Sequence, residues 1–254
     1  MKEKMTKQQQ VAADLRAQIE SGDLAPGAEL PSEAALMASY KFSRETVRAG
    51  VRTLIEEGLV IASQGSGKFV REAYPPVVWN WTTLESRKLH EADGGRWGDQ
   101  WATAIASDGR APRLDVQVSI VDPPTAVREL LQLEAGSLAV VRRRVRYVDN
   151  RPYALADSYF PQELVAGTPL MEPRDVSAPG GVLAASGLIQ ATYRDEIAVR
   201  MPTMQEAQKL ALPAATPVAE HTRTGYDQDG KPLRCMVSIL PGDRHVIRYE
   251  VDAN

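Results

Sequence analysis

The sequence predicts an α+β protein in two parts: an N-terminal head of three helices closed by a two-stranded ribbon, joined to a C-terminal antiparallel sheet with packed helices. Three observations carry this. Within 8–71, three stretches repeat their apolar residues at helical spacing, and the last is followed by short strand-like runs around a Gly-Ser-Gly turn. Residues 71–82, REAYPPVVWNWT, hold a Pro75-Pro76 pair that favours extended backbone and separates modules. Beyond residue 97, strand-like runs follow one another through tight turns, which argues for hairpins rather than βαβ units.

In the head, Val11, Leu15 and Ile19 mark a first helix that ends at Gly22. The turn-rich GDLAPGAELPSEA leads to a second helix with Ser32 as N-cap and Leu36, Met37 and Tyr40 available for the core. Lys41 and Phe42 turn the chain into a third helix capped by Ser43, whose hydroxyl can accept a free N–H of the first turn. Val47, Val51, Leu54 and Ile55 form its inward stripe, Arg44, Arg48 and Arg52 an adjacent row, and Gly58 its stop. A strand over 59–63, the turn Gly65-Ser66-Gly67 and a return strand over 68–70 complete a winged helix-turn-helix. Arg and Thr in the first turn of the third helix suit a DNA major groove, and a basic hairpin suits the backbone or minor groove. An arginine row is equally compatible with a solvated helix face.

Composition narrows the alternatives. The 254 residues suffice for two domains, 43% of them are apolar, and the net charge is −3. The chain is not generally basic, so a nucleic-acid site has to be a local patch. Between 41 and 52 it is: Lys41, Arg44, Arg48 and Arg52 face only Glu45, although the first 75 residues carry ten Lys/Arg and ten Asp/Glu. The single Cys235 excludes an internal disulfide framework and suits a reducing cytoplasm. The start, MKEKMTKQQQ, has no apolar core of a signal peptide, and no run approaches the ~20 apolar residues that span a bilayer. A cytoplasmic protein without a membrane partner is therefore expected.

The C-terminal part reads, in order, as a polar stretch to about 96, then a helix over 99–107 and a strand over 113–121. A helix opened by Asp122-Pro123-Pro124 and ended by Gly136 comes next, followed by a long strand over 138–148. An Asp149-Asn150 turn leads into a strand over 153–160. A Gly/Pro-rich segment, a short helix from Val182, a strand over 190–200 and a helix over 204–212 follow. The chain closes with strands over 217–226, 232–241 and 246–251. Trp79, Trp81, Trp97 and Trp101 serve as core or interface anchors. On the 138–148 strand, period two puts Arg142, Arg144 and Arg146 on one face. Three like charges need compensation, from Asp157 on the partner strand or from a bound anion; a solvated sheet face accounts for the row equally well. Glu220, Thr222, Thr224 and Tyr226 likewise share a face, as cross-strand hydrogen bonding alone would explain.

Two resemblances sharpen this reading. The runs IESGDLAPGAELPSEAAL, FSRETVRAGVRTLIEEGLV and QGSGKFV resemble the DNA-binding domain of the GntR family of bacterial transcription regulators, over about 8–71. This implies DNA contacts from Ser32, Ser43, Arg44, Thr46, Arg48, Gln64, Gly65, Ser66, Gly67 and Lys68, with the glycines letting the wing approach the sugar-phosphate backbone. Many members carry an arginine where this chain has Ala34. RVRYVDNRPYALADSYFP and TPVAEHTRTGYDQDGKPLRCMVSILPGDR resemble the UTRA effector-binding domain of the HutC branch, over about 97–251, whose fold is related to chorismate lyase. The resemblance implies that Arg144 and Arg146 hold an anionic group and that Glu220 and Tyr226 line the same pocket. Relatives often have glutamate where this chain has Ala156, with Asp157 beside it, and a common serine is replaced near Gly181. Sugar-phosphate specificity is accordingly not carried over.

No catalytic or metal-binding constellation is expected. His90, His221 and His245 are scattered without partners at metal-ligand spacing, Cys235 reads as a small buried strand residue, and no G-x-S-x-G elbow occurs. The wing's GSGK lacks the spacing of a phosphate loop and precedes no helix. The expected organisation is a DNA-binding domain over 1–71, a linker over 72–96 and an effector-binding and dimerisation domain over 97–254. The expected function is a cofactor-free homodimeric transcription regulator, a repressor released from a palindromic DNA operator by a small anionic effector. Two alternatives are a constitutive DNA-binding dimer and an enzyme built on the lyase-like domain.

Overall fold

The computed structural model describes residues 5–63, 67–72, 74–80, 100–176 and 183–250. The chain forms two compact units, Met1–Pro75 with Leu212–Thr216, and Pro76–Ala211 with Pro217–Asn254.

The first unit contains helices α1 (Lys7–Ser21), α2 (Glu33–Tyr40) and α3 (Arg44–Glu56), then strands β1 (Val60–Ser63) and β2 (Gly67–Val70), paired antiparallel. Each helix start is capped by a hydroxyl: Thr6 accepts from Gln9 N–H in a capping box, Ser32 from Ala35 N–H, and Ser43 from Thr46 N–H. The end of α3 is a Schellman arrangement around Gly58 at φ 74°, with Gly58 N–H donating to Ile55 and Leu59 N–H to Leu54. Val11, Leu15, Leu36, Val47, Val51, Leu54, Val60 and Val70 make one core. Gly50, in the middle of α3, is required by close packing. A Cβ there would stand 2.8 Å from Val11 Cβ and 2.9 Å from the Gln8 carbonyl oxygen.

The second unit is built on a six-stranded, wholly antiparallel sheet. Its strands are β4 (Pro112–Val121), β5 (Ala139–Val148), β6 (Arg151–Pro161), β7 (Thr192–Arg200), β8 (Val218–Tyr226) and β9 (Pro232–Pro241), in the order β4-β5-β6-β9-β8-β7. Asp149 and Asn150, both at positive φ (51° and 62°), form the two-residue loop between β5 and β6, as a primed hairpin turn requires. Helices cover both faces. Val127 of α5 (Thr125–Leu130) and Leu131 pack on Ala139, Val141, Tyr159 and Cys235. On the other face, Val165 of α6 (Gln162–Val165) and Leu170 pack on Val140 and Phe160. The last helix, α7 (Met204–Lys209), opens with a Thr203–Glu206 capping box.

Two features depart from the sequence-based expectation. Residues 77–80, placed in the linker, form strand β3 (Val77–Asn80), which belongs to the second unit and pairs in parallel with β10 (His245–Arg248). Val77 and Trp79 are buried, so β3 has the alternating burial of a packed strand. The Pro75-Pro76 pair masked this because it ends only one residue before the strand. The helix expected from Val182 is a single 3-10 turn, Ala184–Ser186. Trp101 and Ile105 of α4 (Gln100–Ser107) are buried; Trp81, Trp97 and His90 lie outside the described residues.

Candidate functional site

In the first unit, α3 presents Arg44, Arg48 and Arg52 to solvent at i, i+4 and i+8, while Val47, Val51 and Leu54 of the same helix are buried. The amphipathic period separates the two stripes. Ser43 caps the helix, and its Oγ lies 2.9 Å from Thr46 Oγ1, so these two residues brace each other at the helix start. Ser32 performs the same capping task on α2.

The sequence reading missed the role of Glu33. Its carboxylate lies 2.9 Å from Lys68 Nζ and 3.4 Å from Arg48 Nε, tying the wing's lysine to the third helix's arginine. The hydrogen bond from Lys68, with the charges of Lys68, Arg48 and Arg44, holds Glu33 below the usual carboxylate range despite an opposing effect of burial. Gly67 sits at φ 116°, and a Cβ there would meet Glu29 Oε1 at 2.6 Å, so the wing needs glycine at its turn for local geometry as well as for approach to a partner. Gln64, Gly65 and Ser66 lie outside the described residues. The exposed guanidinium row and Lys68 together make a cationic surface on a rigid helix, suited to phosphates and base edges.

In the second unit, the expected five-residue effector set does not converge. Strand register decides this, because cross-strand partners share a face. Arg144 is paired with Ala156, Ala156 with Ser238, and Ser238 with His221. Asp157 is paired with Arg143 and Val237, on the opposite face, where it makes an ion pair to Arg143 at 3.5 Å. Burial raises the Asp157 pKa against the lowering effect of Arg143. Glu220 and Tyr226 share the Asp157 face. Glu220 accepts from Arg200 Nε at 2.8 Å, Arg200 also grips Glu206, and Tyr226 stands 5.9 Å from the Arg194 guanidinium. Asp157 therefore makes its ion pair with Arg143 on the opposite face rather than with the Arg142/Arg144/Arg146 row, although its charge is still felt by Arg144.

The three arginines of that row have three different environments. Arg142 is 2% exposed and donates to the carbonyls of Leu170 (2.7 Å), Glu172 (2.7 Å) and Arg174 (2.6 Å). Burial lowers its pKa. Arg146 is 7% exposed and lies over the rings of Trp101 (4.8 Å) and Trp79 (5.5 Å). Arg144 is half-buried and donates to the Ala156 carbonyl at 3.4 Å and to Ser158 Oγ at 2.5 Å. Two strands along the same face, Ser238 Oγ is fully buried with no hydrogen-bond partner among the described residues. The cross-strand row through Arg144 is Val116, Arg144, Ala156, Ser238, His221 and Ile197, and holds no carboxylate. Ala156, the departure noted in the sequence, is the residue next to Arg144 in that row. Ser158 and Ser238 escaped the sequence reading because period two identifies a shared face within one strand, not which strands lie side by side.

Further along the same face, Asp195 accepts from Arg223 (Nε 2.6 Å, Nη2 2.7 Å) and lies 2.8 Å from His221 Nε2. Burial opposes ionisation of Asp195, but the hydrogen bonds and charges of Arg223 and His221 prevail and lower its pKa to about 2. Burial pushes the Cys235 thiol up to about 11, as befits an inert packed residue. Among the described residues, no group of three or more His, Cys, Asp or Glu is placed to hold a metal ion, and no helix is long and apolar enough to cross a membrane.

A helix-turn-helix unit with a wing and a six-stranded antiparallel-sheet unit are the pair of domains found in DNA-binding regulators of transcription similar to this chain. The chain matches the bacterial regulatory proteins of the GntR family over residues 7–70 and the UTRA domain over 108–246. It is 30% identical to the HTH-type transcriptional regulator SCO4628 of Streptomyces coelicolor, over 98% of this chain and 94% of that protein. It is 25% identical to the mannosyl-D-glycerate transport/metabolism system repressor MngR of Escherichia coli K12, over 87% and 86% of the two chains. In fold it is similar to PhnF from Mycobacterium smegmatis, with a TM-score of 0.57, 22% identity and coverage of 96% of this chain and all of that one. The protein belongs to the GntR family of bacterial transcription regulators, as a member with a UTRA domain, and is not an enzyme.

Proposed function

We propose that the protein is a ligand-responsive repressor of the HutC branch, acting in the cytoplasm as a twofold dimer on a palindromic operator and released by a small anionic effector. In this reading Arg44, Thr46 and Arg48 meet the major groove, and Lys68 with the wing meets the backbone. The UTRA unit carries the effector on its Arg144 face. MngR, a relative by sequence, is named a repressor, which supports that sign of regulation.

One observation carries the effector assignment. Arg144 is a half-buried cation that donates to the Ser158 hydroxyl, on the sheet face that also carries Ser238. A carboxylate or phosphate monoester would accept from the guanidinium fork and the Ser158 hydroxyl together. Asp157, Glu220 and Tyr226, engaged on the opposite face, are left out of the proposed pocket.

The test is thermal unfolding of the full chain against a panel of carboxylates and phosphate esters, followed by operator binding with each hit. A ligand that binds the folded chain raises its unfolding temperature. Release of DNA additionally requires that the ligand prefer one of the regulator's conformations. The expected result is a hit that stabilises the wild type, dissociates it from the operator and does neither with Arg144→Ala. Anionic hits acting equally on Arg144→Ala would overturn the pocket. A chain that binds operator regardless of every stabilising ligand would favour the constitutive regulator.

A further inference from the structure

One acid stands on the cationic face of α3. Between residues 41 and 52, Glu45 is the single carboxylate beside Lys41, Arg44, Arg48 and Arg52, and all five side chains are exposed. The helix fixes where it points. At about 100° of turn per residue, Glu45 projects about 170° from the mean direction of the buried Val47, Gly50, Val51 and Leu54. By the same count Arg44 and Arg48 stand at only about 70° and about 110° from that direction. Within the first turn, Glu45 is therefore the residue aimed most directly away from the core. Among the described residues no side-chain hydrogen bond or ion pair occupies its carboxylate; Arg48 pairs with Glu33 instead. A negative charge in the first turn suits the helix dipole, but that role is indifferent to which way the side chain points.

We propose that Glu45 reads a base: its carboxylate accepts from the exocyclic amine of a cytosine in the major groove, which makes it a specificity-determining residue of the DNA-binding unit. The proposal rests on the reading above that α3 enters the major groove. A carboxylate has no attractive contact with phosphate, and every phosphate near it weakens binding. The groove floor offers it two kinds of strong donor, the N4 amine of cytosine and the N6 amine of adenine. The adenine amine sits beside the N7 acceptor, whose lone pair opposes a second carboxylate oxygen; the cytosine edge presents the amine without an acceptor. Arg44 and Arg48, flanking Glu45, match the O6 and N7 acceptors of guanine. The arginines attract any duplex, whereas Glu45 lowers affinity wherever no amine meets it. It thus discriminates by penalising the wrong sequence as well as by binding the right one.

Selection of bound duplexes from a random-sequence library tests this, comparing the full wild-type chain with Glu45→Ala, Glu45→Gln and Arg44→Ala at one salt concentration. The wild type should select cytosine at one position, repeated by symmetry in a palindromic site, by about tenfold or more over the other bases. Glu45→Ala should flatten that position alone. Glu45→Gln should turn it to adenine, because a glutamine amide matches the adenine N6 and N7 together. Affinity for unselected DNA should rise in both Glu45 variants, since a repulsive charge is removed. Folding, followed by circular dichroism, should be unchanged because the side chain is exposed. Selected sites identical for the wild type and both Glu45 variants, yet altered by Arg44→Ala, would overturn the assignment and leave the major-groove reading standing. Uniform weakening of all sites by Glu45→Ala with every preference intact would also overturn it, making Glu45 a support of the helix start. Sites altered by neither the Glu45 nor the Arg44 substitutions would overturn the major-groove reading and the assignment with it.

Discussion

The protein carries two rows of three arginines, one on a helix and one on a strand, and they have opposite environments. Arg44, Arg48 and Arg52 stand in solvent on α3, where Arg48 Nε lies 3.4 Å from the Glu33 carboxylate. Arg142, Arg144 and Arg146 lie on β5, where two of the three are buried and each has a distinct neighbour: three carbonyls, a serine hydroxyl, two indoles. Spacing alone makes the rows equivalent. Desolvation separates them, since a buried guanidinium has to be satisfied within the protein, whereas an exposed one stays solvated until a partner arrives.

The largest expected effect tests the buried row. Arg142→Ala removes the donors to Leu170, Glu172 and Arg174 and leaves their carbonyls and a cavity behind. It should destabilise the second unit by about 3–5 kcal/mol in denaturant unfolding. A loss below ~1 kcal/mol would mean that Arg142 is as dispensable to folding as an exposed arginine.

A pH dependence should also distinguish the buried row. His245 lies edge-on to Trp79, which in turn stands against Arg146, and its Nδ1 is 3.0 Å from the Pro241 carbonyl. Burial lowers the His245 pKa to about 4, with the Pro241 hydrogen bond working in the other direction. In the unfolded chain a histidine titrates near ~6.5 and takes up its proton first as pH falls. The associated stability is therefore complete above about pH 6.5 and is lost progressively toward pH 4, by roughly 2–3 kcal/mol. His245→Phe should flatten that limb of the stability–pH curve; an unchanged slope would locate the titration elsewhere.

For the exposed row, Arg44→Ala should weaken specific operator binding by about 1–3 kcal/mol at fixed salt. Its unfolding midpoint should move by no more than ~0.5 kcal/mol-equivalent, because the side chain is exposed. Coupled losses of folding and DNA affinity would erase the contrast between the rows. The smallest effect concerns Glu33→Gln, which removes the carboxylate shared by Lys68 and Arg48. Stability should change by less than about 1 kcal/mol, while nonspecific DNA binding tightens and its salt dependence steepens. Weaker binding would mean that Glu33 orients the two cations for DNA more than it neutralises them.

The sequence by itself determined what depends on nearest neighbours along the chain. Ser43 is a cap because its hydroxyl reaches the Thr46 N–H, Gly58 ends α3 because it adopts positive φ, and Asp149-Asn150 closes a hairpin because both tolerate the left-handed region. The inward stripe of α3 follows from helical period in the same way. Gly50 did not declare itself, because its reason is the approach of Val11, more than thirty positions away. Only the tertiary structure decided which strands lie side by side and in what register. It moved β3 out of the linker, put Asp157 behind the sheet from Arg144, and set Ser158 and Ser238 in front. The physical reason is that strand period assigns each residue to one of two faces, while a one-position slip between neighbouring strands exchanges those faces, and that register is set by packing across the whole sheet.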